Sequence, residues 1–150
     1  MIKEDILVSV KGLHTLDKDG EQEEIEVISP GKYYFKDGKH YIFYEEQPQD
    51  GTQRIRNRIS LKDGFLEVQK NGAMSTKMVF ERDKKSESWY NTPFGNLLAG
   101  VTVTDMQVKE QEQELDICVE YDLEVNYQRI ADCRIEIKVM EKDSGLFHLR

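Results

Sequence analysis

The chain has 150 residues and a formal net charge of −8, with an isoelectric point near 5.0. A chain of this length forms one domain, here residues 1–150, and buries about 70% of the surface that its unfolded form exposes, so it needs no disulfide or metal ion to fold. The acidic charge disfavours nucleic acid and anionic membranes as partners.

The N-terminal segment Met1–Asp5 carries acidic residues where a signal peptide would carry basic ones. No stretch approaches the roughly 20 apolar residues of a membrane helix. We therefore expect a cytoplasmic protein in which Cys118 and Cys133 remain thiols. By alternation the two cysteines fall on opposite faces of neighbouring strands, although a bulge near Ala131–Asp132 would change that placement.

Apolar and polar residues alternate along most of the chain, and a helix cannot use this period of two to form an apolar face. The clearest case is Leu115–Val125, where six apolar residues alternate with five polar ones. Breaks in the alternation predict about ten strands and little helix. These are Asp5–Leu16, Glu23–Lys36, Lys39–Glu46, Thr52–Lys62, Phe65–Lys70, Ala73–Arg82, Ser86–Asn91, Leu97–Lys109, Glu114–Val125 and Ile130–Glu141.

Short turns separate the strands. Asp37-Gly38, Asp63-Gly64 and Asn71-Gly72 tolerate the positive φ angles of tight hairpins, and Asp17–Gly20 closes the first strand. Ser29-Pro30-Gly31 interrupts the second predicted strand. Because proline cannot donate a hydrogen bond to a ladder, this segment marks a bulge, a bend or a sheet edge.

Many evenly spaced strands without long crossovers predict an antiparallel up-and-down meander, either a sandwich or a barrel. We favour a single barrel, since closure removes the exposed edges. A short helix or turn is expected at Asn96–Gly100, where it would plug one end.

No catalytic or metal-binding pattern emerges. The acidic residues between Glu110 and Glu124 share one parity, which favours a solvated outer face over a cation site or an acid–base pair. His14, His40 and His148 lack partners at the spacing of a zinc site, and no Gly-x-Ser-x-Gly elbow is present. We expect no enzyme activity, no cofactor and no metal.

Three arginines form the most distinctive charged feature. Arg54, Arg56 and Arg58 occupy alternate positions and point the same way, which favours a local anion site in an acidic protein. The alternative is that neighbouring acids such as Glu45, Glu46 or Glu67 neutralise them.

Aromatic residues cluster on both sides of the turn at Asp37-Gly38. Pairing across this turn places Tyr33 and Phe35 on the same face as Ile42 and Tyr44, so these four residues are candidates to line a ligand cavity. The same set is also compatible with a core face accompanied by cross-strand aromatic pairs on the other side. Stacking on nucleic-acid bases is disfavoured by the charge.

The segment Ser88–Gly95 has a distinctive sequence pattern, formed by Tyr90, Thr92, Pro93, Phe94 and Gly95. Together with Gly31–Tyr34 and Ile42–Glu46, it resembles the YwiB-like family of small uncharacterised bacterial proteins over nearly the whole chain. The resemblance implies a calycin-like barrel, the class of lipocalins and fatty-acid-binding proteins, but it carries over no catalytic residue.

Two departures from the characterised calycins leave the ligand class open. The Gly-x-Trp of lipocalins has no counterpart, because Gly12 is followed by Leu13-His14. The Arg-x-Tyr of fatty-acid-binding proteins is replaced by Arg134-Ile135-Glu136. We expect the Tyr90–Gly95 segment to be structural, turning the chain at a barrel end and placing Phe94 in the core.

Two functions compete on this sequence. The first is a binding barrel for a small, partly apolar or anionic ligand. The second is a protein-interaction module that uses an outer face of the barrel, in a monomer or a homodimer. A cavity of about 300 Å³ or more with converging polar groups would favour the first function, whereas a filled core with an exposed patch would favour the second.

Overall fold

The alternating pattern folds into ten β-strands in a computed structural model that describes residues 2–16, 22–47, 53–72, 75–92 and 95–142. For residues 14–16, 22–23 and 91–92 it describes the backbone alone. The strands are β1 (Asp5–Leu16), β2 (Gln22–Lys36), β3 (Lys39–Glu46), β4 (Ile55–Lys62), β5 (Phe65–Asn71), β6 (Ser75–Glu81), β7 (Lys85–Thr92), β8 (Gly95–Glu110), β9 (Glu114–Val125) and β10 (Gln128–Glu141). The described residues contain no helix.

All ten strands belong to one antiparallel sheet in the order β6-β5-β4-β3-β2-β1-β10-β9-β8-β7. The first and last strands of the chain pair with each other in the middle of this order, for example at Val8 opposite Val139. The barrel prediction is therefore confirmed, although the barrel is only nearly closed. Its seam lies between β6 and β7, whose described residues form no ladder. Near this seam, the Arg82 guanidinium donates a hydrogen bond to the Met106 carbonyl of β8 at 2.6 Å.

The expected helix or turn at Asn96–Gly100 is wrong. These residues begin β8 and pair with β7, for example Asn96 with Asn91 and Gly100 with Glu87. The small residues Ala99 and Gly100 have weak strand preference, but the pairing of β8 with strands on both sides overrides it.

Of the predicted turns that the structure describes, the two Asp-Gly turns are confirmed, and Asn71-Gly72 lacks the predicted positive φ angles. Asp37-Gly38 and Asp63-Gly64 have φ angles of 53° and 76°, and of 46° and 78°, as a type I′ hairpin requires. Asn71 instead ends β5 without a positive φ, and the predicted Asp17–Gly20 turn lies outside the described residues. The β9–β10 turn at Asn126-Tyr127 also has two positive φ angles. An Asn-Tyr pair predicts such a turn less strongly than an Asp-Gly pair does.

Ser29-Pro30-Gly31 marks a sheet edge, one of the three alternatives left open by the sequence. The register of β2 with β1 runs unbroken from Lys32 to Gln22, so no bulge is present there. Pairing with β3 begins only at Gly31, so the first half of β2 has no ladder partner on that side among the described residues. Pro30 is the last residue of this unpaired half, where a missing N–H donor costs no ladder hydrogen bond.

Side chains fill the barrel interior. The largest buried ones have relative exposures below 2%, and they come from strands on both sides of the barrel: Ile6, Val8, Ile42, Ile59, Leu66, Phe80, Met106, Leu115, Ile117, Val119, Ile137 and Val139. The rings of Phe80 and Tyr121 meet edge to face, with centroids 4.9 Å apart. The core is therefore packed, in the manner of a small barrel that holds its own side chains.

The two cysteines lie on opposite sides of the sheet, as expected. Cys133 is buried and faces the core opposite Tyr121, whereas Cys118 is half-buried opposite Glu136. The bulge on β10 lies between Arg129 and Ala131 and does not bring the sulfurs together. Neither cysteine forms a disulfide.

Candidate functional site

A cavity lies where β2 and β3 separate. It has a volume of about 790 Å³, and its walls come from the start of β1, the middle of β2, the end of β3 and the start of β4. Residues of both parities line it, such as Arg56 and Asn57, which places it around the end of the sheet rather than on one face. We call this space the fork cavity.

Gly31 permits the close approach of strands beside the fork cavity. A Cβ atom at this position would lie 2.5 Å from the backbone oxygen of Phe43, well inside contact distance. Only glycine allows β2 to lie this close to β3 at the point where their pairing begins.

Asn57 is the most unusual residue of the fork cavity. It is 3% exposed, and neither its amide nitrogen nor its amide oxygen has a hydrogen-bond partner. It lies on β4, opposite Tyr44 of β3 and Lys70 of β5, with the same parity as the core residue Ile59. Buried amides without partners are rare in folded proteins, and each unsatisfied group destabilises the fold by about 1–3 kcal/mol.

The three candidate arginines divide into two groups. Arg54 and Arg56 line the fork cavity, whereas Arg58 does not. Arg58 contacts Glu67 of β5 at 3.1 Å, as the neutralisation alternative predicts. Arg54 lies 3.4 Å from a carboxylate oxygen of Glu45, and its Nε donates a hydrogen bond to Gln47 at 2.9 Å.

Arg56 differs from both neighbours. It is exposed and forms no hydrogen bond or ion pair with any described residue. Glu46, a predicted partner of the arginines, instead contacts Lys70 at 3.5 Å. Among the described residues, Arg56 is therefore the member of the predicted triplet whose charge is not neutralised at the cavity wall.

The rest of the fork cavity combines apolar and charged groups. Ile6, Phe43 and Tyr44 supply apolar surface. The Lys32 ammonium is hydrogen-bonded to the Asp5 carboxylate, and this bond together with the charge of the partner raises the pKa of Lys32 and lowers the pKa of Asp5. The predicted cavity residue Tyr44 is 4% exposed, and burial raises its pKa well above the usual value.

A second, smaller cavity of about 140 Å³ lies at the opposite end of the β2–β3 pairing, lined in part by Tyr33 and Phe35. The Tyr33 hydroxyl lies 2.6 Å from Nδ1 of His40, and Nε2 of His40 lies 2.8 Å from a carboxylate oxygen of Glu110. An ionised Glu110 can only accept, so Nε2 carries a proton, and in the neutral imidazole Nδ1 accepts from the Tyr33 hydroxyl. Burial, followed by the charge of Glu110, raises the pKa of Tyr33 to about 12.

The four predicted cavity residues thus separate in space. Tyr44 lines the fork cavity, and Tyr33 and Phe35 line the smaller one. Ile42 is fully buried in the core, while Phe35 is 43% exposed. The shared face of Tyr33, Phe35, Ile42 and Tyr44 is confirmed, because Tyr33 pairs with Ile42 and Gly31 pairs with Tyr44.

The Tyr90–Gly95 motif is described only in part. Tyr90 is half-buried on β7, and burial raises its pKa. Thr92 pairs with Gly95, whose φ of 121° suits glycine in a turn. Pro93 and Phe94 lie outside the described residues, so the placement of Phe94 in the core stays a prediction.

Within the described ranges, no three His, Cys, Asp or Glu residues are grouped so that they could hold a metal ion. The described part of the chain also holds no helix long and apolar enough to cross a membrane.

Residues 8–137 match the model of a protein family described as a domain of unknown function, DUF1934. The chain belongs to this family. It is 25% identical over 124 residues to the uncharacterized beta-barrel protein YwiB of Bacillus subtilis strain 168, which covers 83% of this chain and 86% of that protein. The crystal structure of the ywiB protein from Bacillus subtilis superposes with a TM-score of 0.77 at 25% identity and covers 92% of each chain. The family resemblance read from the motifs is thereby confirmed.

Sequence reasoning found Arg54 and Arg56 but missed Asn57 and the contact of His40 with Glu110. Asn57 carries no motif, and its only signal is a polar residue at a core parity between Ile55 and Ile59. His40 and Glu110 are 70 residues apart, and their contact depends on the curvature of the barrel.

Proposed function

We propose that this protein binds a small, partly apolar or anionic ligand in the fork cavity, without chemical conversion of that ligand. The observation that carries the proposal is the amide of Asn57, which is buried without a hydrogen-bond partner at the cavity wall. A ligand that accepts from the amide nitrogen and donates to, or bridges through water to, the amide oxygen would remove this energetic penalty.

Arg56 supports an anionic group on the ligand. Its guanidinium has no carboxylate partner among the described residues and lies on the same strand as Asn57, one position away. Guanidinium groups suit carboxylates and phosphates because they donate two parallel hydrogen bonds. The paired Arg54 adds positive charge nearby.

The size and the walls of the fork cavity support a ligand that is partly apolar. Its volume of about 790 Å³ falls within the range of roughly 300–1,000 Å³ that is typical of small-molecule sites. Ile6, Phe43 and Tyr44 provide the apolar surface that such sites combine with a few polar groups.

The binding mode proposed here differs from that of the calycin class because the core is packed. In a calycin-like barrel the ligand would enter the interior, but here the interior positions hold Ile42, Ile59, Phe80 and Ile117 with almost no exposure. We therefore propose binding at the split in the sheet, with calycin likeness limited to the barrel architecture.

The experiment is native mass spectrometry of the protein purified from its own cell, which reports a retained ligand and the oligomeric state together. We expect an added small-molecule mass on the natural protein, which is reduced or lost in Asn57→Leu and Arg56→Gln. Arg58→Gln is the matched control, because Arg58 lies on the same strand and outside the cavity. A bare chain mass in the natural protein, or equal retention in all variants, would contradict the proposal.

One observation favours the second candidate, a protein-interaction module. Trp89 is 66% exposed on β7, whose other edge has no paired strand among the described residues. Exposed aromatic residues on an open edge are suited to strand addition by a partner. A stable dimer in the same mass spectra that dissociates in Trp89→Ala would support this function, and a monomer unaffected by the change would oppose self-association.

A further inference from the structure

The outer face of β2 and β3 carries three aromatic side chains that lead away from the fork cavity. Tyr34, Tyr41 and Phe43 form this aromatic strip, with Tyr34 paired to Tyr41 across the two strands. The Phe43 ring meets Tyr34 edge to face at 5.9 Å and is nearly parallel to Tyr41 at 6.5 Å, with an angle of 10° between the planes. Tyr34 and Phe43 are 45% and 38% exposed.

Phe43 belongs both to the aromatic strip and to the wall of the fork cavity. It lies opposite Arg58, so Arg56 is its diagonal neighbour on the same outer face. Arg56 pairs with Glu45 of β3, and Glu45 lies four strand positions, about 13 Å, from Tyr41. The positive charge of Arg56 therefore adjoins one end of the aromatic strip, and together they extend over the length of a medium-sized molecule.

We infer that the ligand is an elongated amphiphile, with an anionic head at Arg56 and an apolar tail that lies along the aromatic strip. This inference rests on the proposed function, which it deepens by naming the class of ligand. The tail lies outside the barrel because the core is filled with side chains. The head lies at the fork because Arg56, on the same outer face as the strip, lacks a hydrogen-bond or ion-pair partner among the described residues.

The charge of the protein favours a ligand with a single anionic group over a large polyanion. The protein carries a net charge of −8, and Asp5, Glu45 and Glu46 also line the fork cavity. A long polyanion would meet repulsion over this surface, whereas a single carboxylate or phosphate at Arg56 meets one local positive charge. Binding of the head is therefore expected to weaken as salt rises, because exposed charges are screened.

The test is isothermal titration calorimetry with straight-chain carboxylates of four, eight and twelve carbons, on the full chain. Each added methylene that is about half buried strengthens binding, so we expect affinity to rise about tenfold from four to eight carbons. Phe43→Ala should flatten this dependence on chain length, so that the loss of affinity is smallest for the four-carbon acid and largest for the twelve-carbon acid. Arg56→Gln should weaken all three acids by a similar factor.

Two matched controls separate the site from general effects. Phe65→Ala removes an equally exposed phenylalanine, 38% as for Phe43, from β5. Arg58→Gln removes the neighbouring arginine that is paired with Glu67. Neither control should change the affinities, and circular dichroism of every variant checks that it is folded.

Two results would overturn the inference without touching the proposed function. One is equal affinity of the natural protein for all three chain lengths, which means that the tail makes no contact. The other is an unchanged dependence on chain length in Phe43→Ala, which means that the tail lies elsewhere. If no carboxylate binds, the amphiphile inference fails, and the proposed function fails with it only when native mass spectrometry also shows a bare chain.

Discussion

Replacing Asn57 by leucine should stabilise the protein while it removes ligand binding. Leucine has nearly the shape of asparagine but no polar atoms. At position 57 it would occupy a core parity beside Ile59, where the natural amide has two buried atoms without partners. Natural proteins accept such losses of stability at functional sites, and a change that restores the apolar pattern recovers them.

The magnitude follows from burial and from the unsatisfied amide. A buried polar group without a hydrogen bond destabilises a fold by about 1–3 kcal/mol, and burial of added apolar surface contributes in the same direction. Leucine at this strand position must still fit beside Tyr44 and Lys70, which offsets part of the gain. We expect the free energy of unfolding to rise by about 1–3 kcal/mol for Asn57→Leu.

Urea denaturation followed by circular dichroism measures this change, with the slope of the transition unchanged between variants. Asn71→Leu is the control, because Asn71 is an exposed asparagine at the end of β5 and should change stability by less than about 0.5 kcal/mol. A folded Asn57→Leu protein that is less stable than the natural one by 1 kcal/mol or more would refute the reasoning. Its amide would then be satisfied in solution, and the proposal would lose the observation that carries it.

Three further outcomes are expected. Gly31→Ala should destabilise the protein by about 1–3 kcal/mol in urea denaturation, because its Cβ would meet a backbone oxygen at 2.5 Å. Gly72→Ala should cost less, because its Cβ would meet Ile55 Cγ1 at 3.2 Å and no backbone atom closer than 3.6 Å. Equal effects of the two changes would contradict the close-approach argument. Burial favours protonated Tyr33 in the folded state, so the free energy of unfolding should fall as the pH rises from 10 through the Tyr33 pKa of about 12, by up to about 3 kcal/mol. Urea denaturation at several pH values should show a smaller loss of stability in Tyr33→Phe. An identical loss in both proteins would assign the effect to other groups. Thiol titration should count two thiols per chain after denaturation, with Cys133 reacting more slowly than Cys118 in the folded protein because burial raises its pKa to about 11; a count near zero would mean that a disulfide had formed.

The sequence by itself determined the kind of fold. Period-two alternation, as in Leu115–Val125, leaves no apolar stripe for a helix, and Asp-Gly turns such as Asp37-Gly38 set the register of the hairpins that they join. Both signals are local, because each depends on residues only a few positions apart. The same local logic marked Pro30 as a bulge, a bend or an edge without choosing among them, and it put Cys118 and Cys133 on opposite faces.

The sequence also identified the strand that carries the candidate site, through the alternating arginines of β4. It did not separate Arg56 from Arg54 and Arg58, since all three share one parity. The difference arises from which arginine each neighbouring acid contacts: Glu45 of β3 lies opposite Arg56 but contacts Arg54, and Glu67 of β5 lies diagonal to Arg58 and contacts it. Register between strands depends on pairing across the sheet, which a single strand does not encode.

Only the tertiary structure decided where the barrel opens and what its interior holds. The seam falls between β6 and β7, and β2 leaves β3 at Gly31, because strands of unequal length must curve around one packed core. That curvature creates the fork cavity, buries Asn57 without a partner and brings His40 to Glu110 across 70 residues. Alternation assigns each side chain to a face, but the distance between two faces is set by the closure and shear of the whole sheet.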